Sequence, residues 1–382
     1  MDILVIFSYK YSMQTWKDTG SIGKELLLYK TMSDEKNIRF TFFTYGDNET
    51  NEINLLKEYD EFRVISISRY FKNQNFLLFK SLLVPFLLKK DLDKVSLIKC
   101  IQLNGCWVGI ILKFLLKTKL YVKTGFDQFI FSLRENKSGF KKVLFYTLTQ
   151  TAILFANIYV VSSKSDKDFI TKRYLFSKKK KIRLRPNWVD EKQIDYKIKN
   201  KKFNKKIIAV GRLAEQKNYP YIIDSLSNTD IELDIVGTGD IKESLVSYAS
   251  RKNAKVNFLG NLDNTDLLKL LKSYKYFVLA STFEGNPKVL LEAMLMGCIP
   301  IVSAIPNNLE IVKNDYNGYT FEINSSSSNQ LLDTILDCEE TNSYLRLSLC
   351  SYEYLNKNNS LTLASTQEYS DYLELADRGK FE

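Results

Sequence analysis

Ser281 to Ser303, STFEGNPKVLLEAMLMGCIPIVS, is the stretch from which the fold can be read. An apolar run, Tyr276 to Ala280, leads into it and reads as a buried strand. The chain then turns through Phe283-Glu284-Gly285-Asn286. Asn286 predicts an N-cap, and Pro287 suits the first helical position. Leu290, Leu291, Met294 and Leu295 recur at helical spacing, and Gly297 is placed to end the helix. Ile299 to Val302 reads as the next buried strand. A strand–loop–helix–strand unit of this kind implies a parallel sheet.

Two carboxylates interrupt that apolar pattern, Glu284 in the loop and Glu292 inside the helix. As bare residues they could be solvated surface glutamates. In a strand–helix crevice they could instead grip hydroxyl groups, with the helix N-terminus beside them holding a phosphate.

The order EGNPKVLLEAMLMG resembles the retaining glycosyltransferases of family 4, the glycosyl transferases group 1. The resemblance implies an α/β chain of GT-B architecture, two Rossmann-like doubly wound domains facing a central cleft. It implies that Glu284 contacts the sugar hydroxyls of a nucleotide sugar and that Glu292 lies near the nucleotide ribose. Gly285, Asn286, Pro287, Lys288 and Val289 match the intervening loop, whose backbone amides meet the sugar and phosphates in that family.

Working outward, Ile207 to Val210 reads as a strand opening the second domain, with Gly211-Arg212-Leu213-Ala214-Glu215-Gln216-Lys217-Asn218 after it and a helix from about Pro220. Arg212 and Lys217 around a strand-to-helix turn offer two cations and free amides, a setting for a diphosphate. Alone the segment could be a basic loop. Ahead of the Glu284 stretch it matches the family's pair that binds the nucleoside diphosphate. Gly237 and Gly239 follow the strand Ile231 to Val236; two close glycines allow near approach, and the resemblance puts them beside the nucleobase. Val256 to Leu259 and Asp263 to Lys272 read as a strand and a helix, and Ile305 to Glu310 with Asn317-Gly318 as structural loops.

The first half begins with a strand, Ile3 to Phe7, and not with a cleavable leader. A loop, Ser8 to Gly23, leads to a helix near Lys24 to Met32. Its glycines lack Gly-x-Gly-x-x-Gly spacing, so no dinucleotide site is read there. In the resembled family this loop meets acceptor and donor phosphates, which makes Gly20 a candidate. Phe40 to Thr44, Arg63 to Ile67, Val95 to Ile101 and Lys119 to Lys123 read as strands, and Trp107 to Leu116 as a helix. Phe76 to Leu88 is strongly apolar, too short to span a bilayer, and reads either as a buried helix or as an interfacial one. Asp127 closes the loop after Lys123, where open sheets place ligand contacts; an Asp that merely closes a turn is the other reading. Phe145 to Val161 reads as a core helix followed by a strand, and Ser162 to Ser165 as a helix start. Arg185-Pro186-Asn187-Trp188-Val189-Asp190 resembles the Pro-Asn-x-Val-Asp turn that closes the first domain in the family.

These readings give an acceptor-binding domain over residues 1–190 and a nucleotide-sugar domain over 191–361. A last helix, about 362–382, is expected to pack back on the first domain. Lys192 to Lys206 suits a linker, and Ser325 to Ser328 is a short polar patch.

Composition narrows the chemistry. There is no histidine, which removes imidazole bases and His-ligated metals and leaves carboxylates, Lys, Arg, amides and hydroxyls. Five cysteines without a close pair argue against disulfides and structural zinc and fit a reducing cytoplasm. The net charge of +11 is concentrated between Lys164 and Lys206, with 17 Lys and Arg against 5 Asp and Glu. That suits a solvated face, an anionic membrane surface or an anionic substrate. Nucleic acid is not expected, because Lys178 to Lys181 lacks interleaved aromatics. Asp91-Leu92-Asp93 in a Lys-flanked turn reads as incidental and not as a metal site.

The resemblance therefore implies transfer of a sugar, with retention, from a UDP- or GDP-sugar to a glycan or lipid-linked acceptor. Glu284, Arg212 and Lys217 carry the chemistry, with no metal and no other cofactor. Relatives that build capsule, O-antigen or exopolysaccharide point to a cytoplasmic protein, peripheral at the inner membrane face. Two other readings are a nucleotide-sugar 2-epimerase, disfavoured by the missing histidine, and a basic membrane-docking protein without activity, disfavoured by the complete Arg212, Lys217, Glu284 and Glu292 set.

Overall fold

Short runs of Val, Ile, Leu, Phe and Tyr bounded by turn residues form two parallel sheets in a computed structural model of the chain, which describes residues 1–92, 94–194, 196, 201, 203–323, 330–341 and 343–377. The chain divides into two compact units. One is Met1–Arg185 together with Ala364–Glu382, and the other is Pro186–Leu363. The turn Pro186–Asp190 thus goes with the second unit, because Val189 N–H donates to Asn359 O (2.8 Å) and Leu361 N–H to Val189 O (2.9 Å). Asp93, Ser325 to Ser328, much of Lys192 to Lys206 and the end of the last helix lie outside the described residues.

The first sheet uses β1 (Asp2–Ile6), β2 (Arg39–Thr44), β3 (Phe62–Ser66), β4 (Leu97–Cys100), β5 (Lys119–Lys123), β6 (Ile158–Val161) and β7 (Lys181–Leu184) in the order β3-β2-β1-β4-β5-β6-β7. Every pairing is parallel, so both faces are covered and the strands read as near-continuous apolar runs. Leu4, Ile6, Ile98, Cys100, Leu120 and Val122 pack under the helices Leu77–Leu88, Cys106–Leu116 and Gly139–Phe155. The alternate residues face the other way. Lys99 Nζ lies 4.5 Å from the Tyr29 ring, and the Tyr121 and Tyr372 rings are 5.5 Å apart.

Two stretches differ from the sequence reading. The loop after β1 contains a short helix, Met13–Asp18, capped by Ser12, whose Oγ accepts from Thr15 N–H at 3.1 Å. Its first turn is also held by buried Glu52, which accepts from Met13 N–H at 2.9 Å. The helix before β6 begins at Gly139, well ahead of Phe145. The segment Leu77–Leu88, read as either buried or interfacial, is buried along one side and exposed along the other. Leu77, Val84 and Leu88 are core, while Leu78, Phe79, Leu82, Leu83 and Phe86 are exposed. No helix among the described residues is long and apolar enough to cross a membrane.

The last helix, Leu361–Asp377, places its acids against the first sheet. Glu368 is buried against Lys99 and Tyr372, and Lys123 lies 3.3 Å from its second oxygen. Asp371 receives Arg185 Nε (3.0 Å) and Nη2 (2.6 Å) and also pairs with Arg183. Burial alone would raise the Glu368 carboxyl, but Lys99 and Lys123 more than offset it and hold it at about 2, below the ordinary 4.5. A carboxyl depressed in the folded state stabilises above its unfolded pKa and loses that contribution as pH falls through its folded one. Glu368→Gln is therefore expected to lower the unfolding midpoint at neutral pH. The gap to wild type should close as pH drops from about 4.5 toward 2, and urea melts across that range would measure it.

The second sheet uses β8 (Lys206–Val210), β9 (Glu232–Val236), β10 (Lys255–Gly260), β11 (Tyr276–Leu279), β12 (Ile299–Ser303) and β13 (Tyr319–Phe321) in the order β10-β9-β8-β11-β12-β13. Its pairings are again parallel. Strand order reverses between β8 and β11, and in open parallel sheets that switch point, at the carboxyl ends of the strands, is where ligands bind.

Candidate active site

The loops leaving β8, β9 and β11 converge at that switch point, and all are within the second unit. After β8, the turn Glu215–Lys217 ends at Asn218, whose φ of +49° redirects the chain into the helix Tyr219–Ser225. Thr282 N–H donates to Gln216 O (2.9 Å) and Gln216 Nε2 to Phe283 O (2.7 Å), so the β8 and β11 loops are stitched together. Lys217 and Glu284 then meet: Nζ lies 2.6 Å from Oε1, which also accepts the Ser281 hydroxyl at 2.6 Å. Glu284 is only 6% exposed. A carboxylate so placed survives burial because a cation and a hydroxyl replace its water. Arg212, by contrast, is exposed and forms no ion pair among the described residues.

The glycines explain how the loops come so close. A Cβ on Gly211 would stand 2.9 Å from Lys217 Cε, so its absence leaves room for the lysine stem. A Cβ on Gly237, whose φ is +141°, would fall 2.1 Å from Gly211 O. One on Gly239 would fall 2.2 Å from Leu213 O. Gly211 N–H donates to Val236 O and Leu213 N–H to Thr238 O, both at 2.9 Å. Gly237 and Gly239 therefore seat one loop backbone on another, a structural use the sequence reading did not foresee.

The 284–287 loop is held by asparagines. Asn187 N–H donates to Asn286 Oδ1 (2.9 Å), its Nδ2 to Asn286 O (2.6 Å), and Asn307 Nδ2 to Gly285 O (2.6 Å). The expected cap is corrected here. Asn286 spends its side-chain oxygen on Asn187, Pro287 is the N-cap residue, and the helix runs from Lys288 to Leu295. Pro287 is buried and Lys288 exposed at the mouth of that helix, with Val289 between them and the core. Glu292 is buried on the helix and accepts from Asn264 Nδ2 at 2.9 Å. Gly297 ends the segment with a φ of +74°.

Sequence reasoning passed over Gln216, Asn264, Ser281, Asn187 and Asn307. The first three touch Glu284, Glu292 or the loop between β11 and its helix, and the asparagines fix the loop backbone. Gln216 directly precedes Lys217, Ser281 opens the stretch quoted first, and Asn187 falls in the Pro-Asn-x-Val-Asp turn, whereas Asn264 and Asn307 have no local signal.

The other two candidates, Asp127 and Gly20, belong to the first unit. Asp127 is 1% exposed, caps the helix Gln128–Arg134 through Ile130 N–H (2.8 Å) and accepts the Tyr174 hydroxyl (3.0 Å). Burial pushes its carboxyl upward. One oxygen thus serves the local capping role that was the other reading of this residue, and the other is taken by Tyr174. Gly20 turns the chain after the helix Met13–Asp18 at φ +65° and donates to Lys17 O (2.8 Å). Asp91 is engaged by Arg69 and Tyr70. Among the described residues no group of three or more acidic or cysteine side chains could hold a metal ion.

Two parallel doubly wound sheets with these strand orders define the GT-B class of fold. Residues 190–348, within the second unit, match the family model described as Glycosyl transferases group 1. A UDP-Gal:alpha-D-GlcNAc-diphosphoundecaprenol alpha-1,3-galactosyltransferase of Escherichia coli is 30% identical over 216 residues, 52% of this chain and 56% of that protein. The chain spans about half the length, or less, of the curated relatives it matches first. Among solved structures, the sucrose-phosphate synthase of Thermosynechococcus elongatus superposes with a TM-score of 0.79 at 16% identity, over 98% of this chain and 99% of that one. Anabaena HepE, in complex with UDP and glucose, gives 0.73 at 18%, over 98% and 100%. At these identities the likeness concerns the fold.

Proposed function

We propose that the protein is a retaining glycosyltransferase that moves a sugar from a nucleoside diphosphate sugar to a hydroxyl of a lipid-linked glycan in surface polysaccharide synthesis. The observation that carries this is the Lys217–Glu284 pair at the β8/β11 switch point, with Arg212 on the same β8 loop, within a segment that matches the group 1 family model. The acceptor hydroxyl forms a bond to the anomeric carbon on the face from which the diphosphate departs. The carbon–oxygen bond to the diphosphate breaks, and the acceptor proton passes to the departing phosphate oxygen. Charge grows on the diphosphate, where Arg212, Lys217 and the start of the helix Lys288–Leu295 stabilise it. Two fixed cations can serve there in place of a metal. Glu284 orients the sugar hydroxyls and does not attack; Glu292 and Asn264 face the ribose; Gly237 and Gly239 shape the loop beside the base. The E. coli relative acts, by its name, with UDP-Gal on a diphosphoundecaprenol acceptor, and the Anabaena protein binds UDP. Both names fit a uridine donor, and the first also fits a carrier-lipid acceptor.

Thermal melts with UDP, GDP and their sugars test this, each with and without a chelator. Ligand that binds the native state raises the midpoint with concentration. A shift with one base family, kept in chelator and lost in Arg212→Ala, is the expected result. Arg212 has no ion pair to lose, so that variant should fold as wild type. No shift with any nucleotide would overturn the reading.

A further inference from the structure

Three neighbouring helices of the first unit, Leu77–Leu88, Cys106–Leu116 and Gly139–Phe155, cover one face of its sheet. They are tied to each other by Trp107 Nε1 donating to Ser81 Oγ (2.9 Å) and by the Phe114–Phe155 ring pair at 5.5 Å. Their buried sides are ordinary core. Their outer sides are not ordinary surface. Phe79, Leu82, Leu83 and Phe86 recur at helical spacing on the first helix and are all exposed, Phe79 at 62%. Phe76, just before it, is 85% exposed, and Phe140, opening the third helix, 78%. Val143, Leu144 and Leu154 continue the third helix's outer stripe, and Phe114 lies on the second. Exposed apolar side chains gathered on three adjoining helices in this way mark an interaction site.

The charge on the same layer says what covers it. None of the three helices contains an Asp or a Glu. Their ends carry exposed Lys89, Lys90, Lys117 and Lys141. On the opposite face of the sheet, the helix Ile22–Lys36 carries lysines and acids in equal number, and Leu361–Asp377 carries acids and no Lys or Arg. Of these helices, only the apolar three carry lysines without any acid. Aromatic and aliphatic side chains on helices without acids, with lysines at their ends and the nearby Asp91 and Glu135 already paired with Arg69 and Lys137, suit a surface that is apolar inside and anionic outside. A protein partner would more often be met by charges of both signs.

We infer that this helical layer is a docking face for an anionic lipid bilayer, with Phe76, Phe79, Phe86 and Phe140 entering the headgroup boundary and the lysines meeting lipid phosphates. The inference concerns the first unit's surface alone, so it and the donor-site reading fail separately.

Flotation of the full chain with vesicles tests it. Wild type should float with vesicles containing phosphatidylglycerol, much less with pure phosphatidylcholine, and less again at high salt. Phe79→Ser with Phe86→Ser should weaken partitioning roughly ten-fold or more. Lys89→Gln with Lys90→Gln should remove part of the preference for anionic lipid. In each variant the thermal midpoint without ligand, measured alongside, reports folding. Failure of folded wild type to float at any composition would overturn the inference, as would double-Phe variants that float like wild type. A concentration-dependent dimer that disappears in the Phe variants, without vesicle binding, would assign the face to a second copy of the chain and also overturn it.

Discussion

Glu284→Gln is expected to lower sugar transfer by about a hundred-fold or more while leaving nucleoside diphosphate binding equal or tighter. The amide keeps the size of the carboxylate and the hydrogen bond from Ser281 Oγ, but it removes the charge that Lys217 Nζ meets at 2.6 Å. Lys217 is then fully available to a diphosphate, whereas the sugar loses the anionic acceptor of its hydroxyl hydrogen bonds. Lys217→Ala should act in the opposite sense on binding. It removes a cation from the phosphate site and strands a largely buried carboxylate, so affinity for UDP falls and stability drops by about 2 kcal/mol. Calorimetric titration of UDP into both variants, beside transfer rates, separates the two. If Glu284→Gln weakened UDP binding as much as Lys217→Ala, the pair would be a structural strut and the assigned role of Glu284 would be wrong.

The second large effect is expected at Gly239. An added methyl group would sit 2.2 Å from Leu213 O and 2.8 Å from Leu213 C and N, all backbone atoms. No side chain can rotate away to relieve this, so the β8 and β9 loops must part and the Leu213 N–H to Thr238 O bond at 2.9 Å must lengthen or break. Gly239→Ala should cost about 2–4 kcal/mol, which for a unit of this size is a fall in Tm of roughly 5–15 °C. Nucleotide binding should fall with it, because Arg212 rides on the displaced loop. Gly23→Ala is the control, since nothing lies within 4 Å of its Cβ position and it is helical; its Tm should hold or rise. Equal melting of the two variants would show that the loops yield without strain.

What could be read in advance follows from how each feature is encoded. Strands such as Tyr276–Leu279 and Ile207–Val210 are buried on both faces, so they appear as unbroken apolar runs flanked by turn residues. Arg212, Lys217, Glu284 and Glu292 could be nominated from their order along the chain, but order does not pair them. The Lys217–Glu284 contact exists because β8 and β11 are neighbours across the switch point, a relation of topology and not of spacing. The same limit explains the shifted helix cap. Asn286 is a good cap residue locally, yet Asn187, 99 positions earlier, claims its oxygen. The helix Met13–Asp18 has too few residues for a periodic pattern, and buried Glu52 helps hold it from 39 residues away. Leu77–Leu88 could not be settled as buried or interfacial because hydropathy counts apolar residues without saying which ones the core consumes.

The placement of the last helix has a consequence for the order in which the protein can mature as it is made. Lys99 is buried in β4, and its carboxylate partner Glu368 is 269 positions further along. At about 5–20 residues per second, roughly a quarter of a minute to a minute passes on the ribosome before that partner emerges. During that interval the first sheet holds an unpaired ammonium where its covering helix will sit. The second unit, although it follows in sequence, is fully translated once Leu363 has been added, before the final helix that completes the first. The half of the molecule translated first is therefore the half completed last, and the final helix acts as the closing step of synthesis.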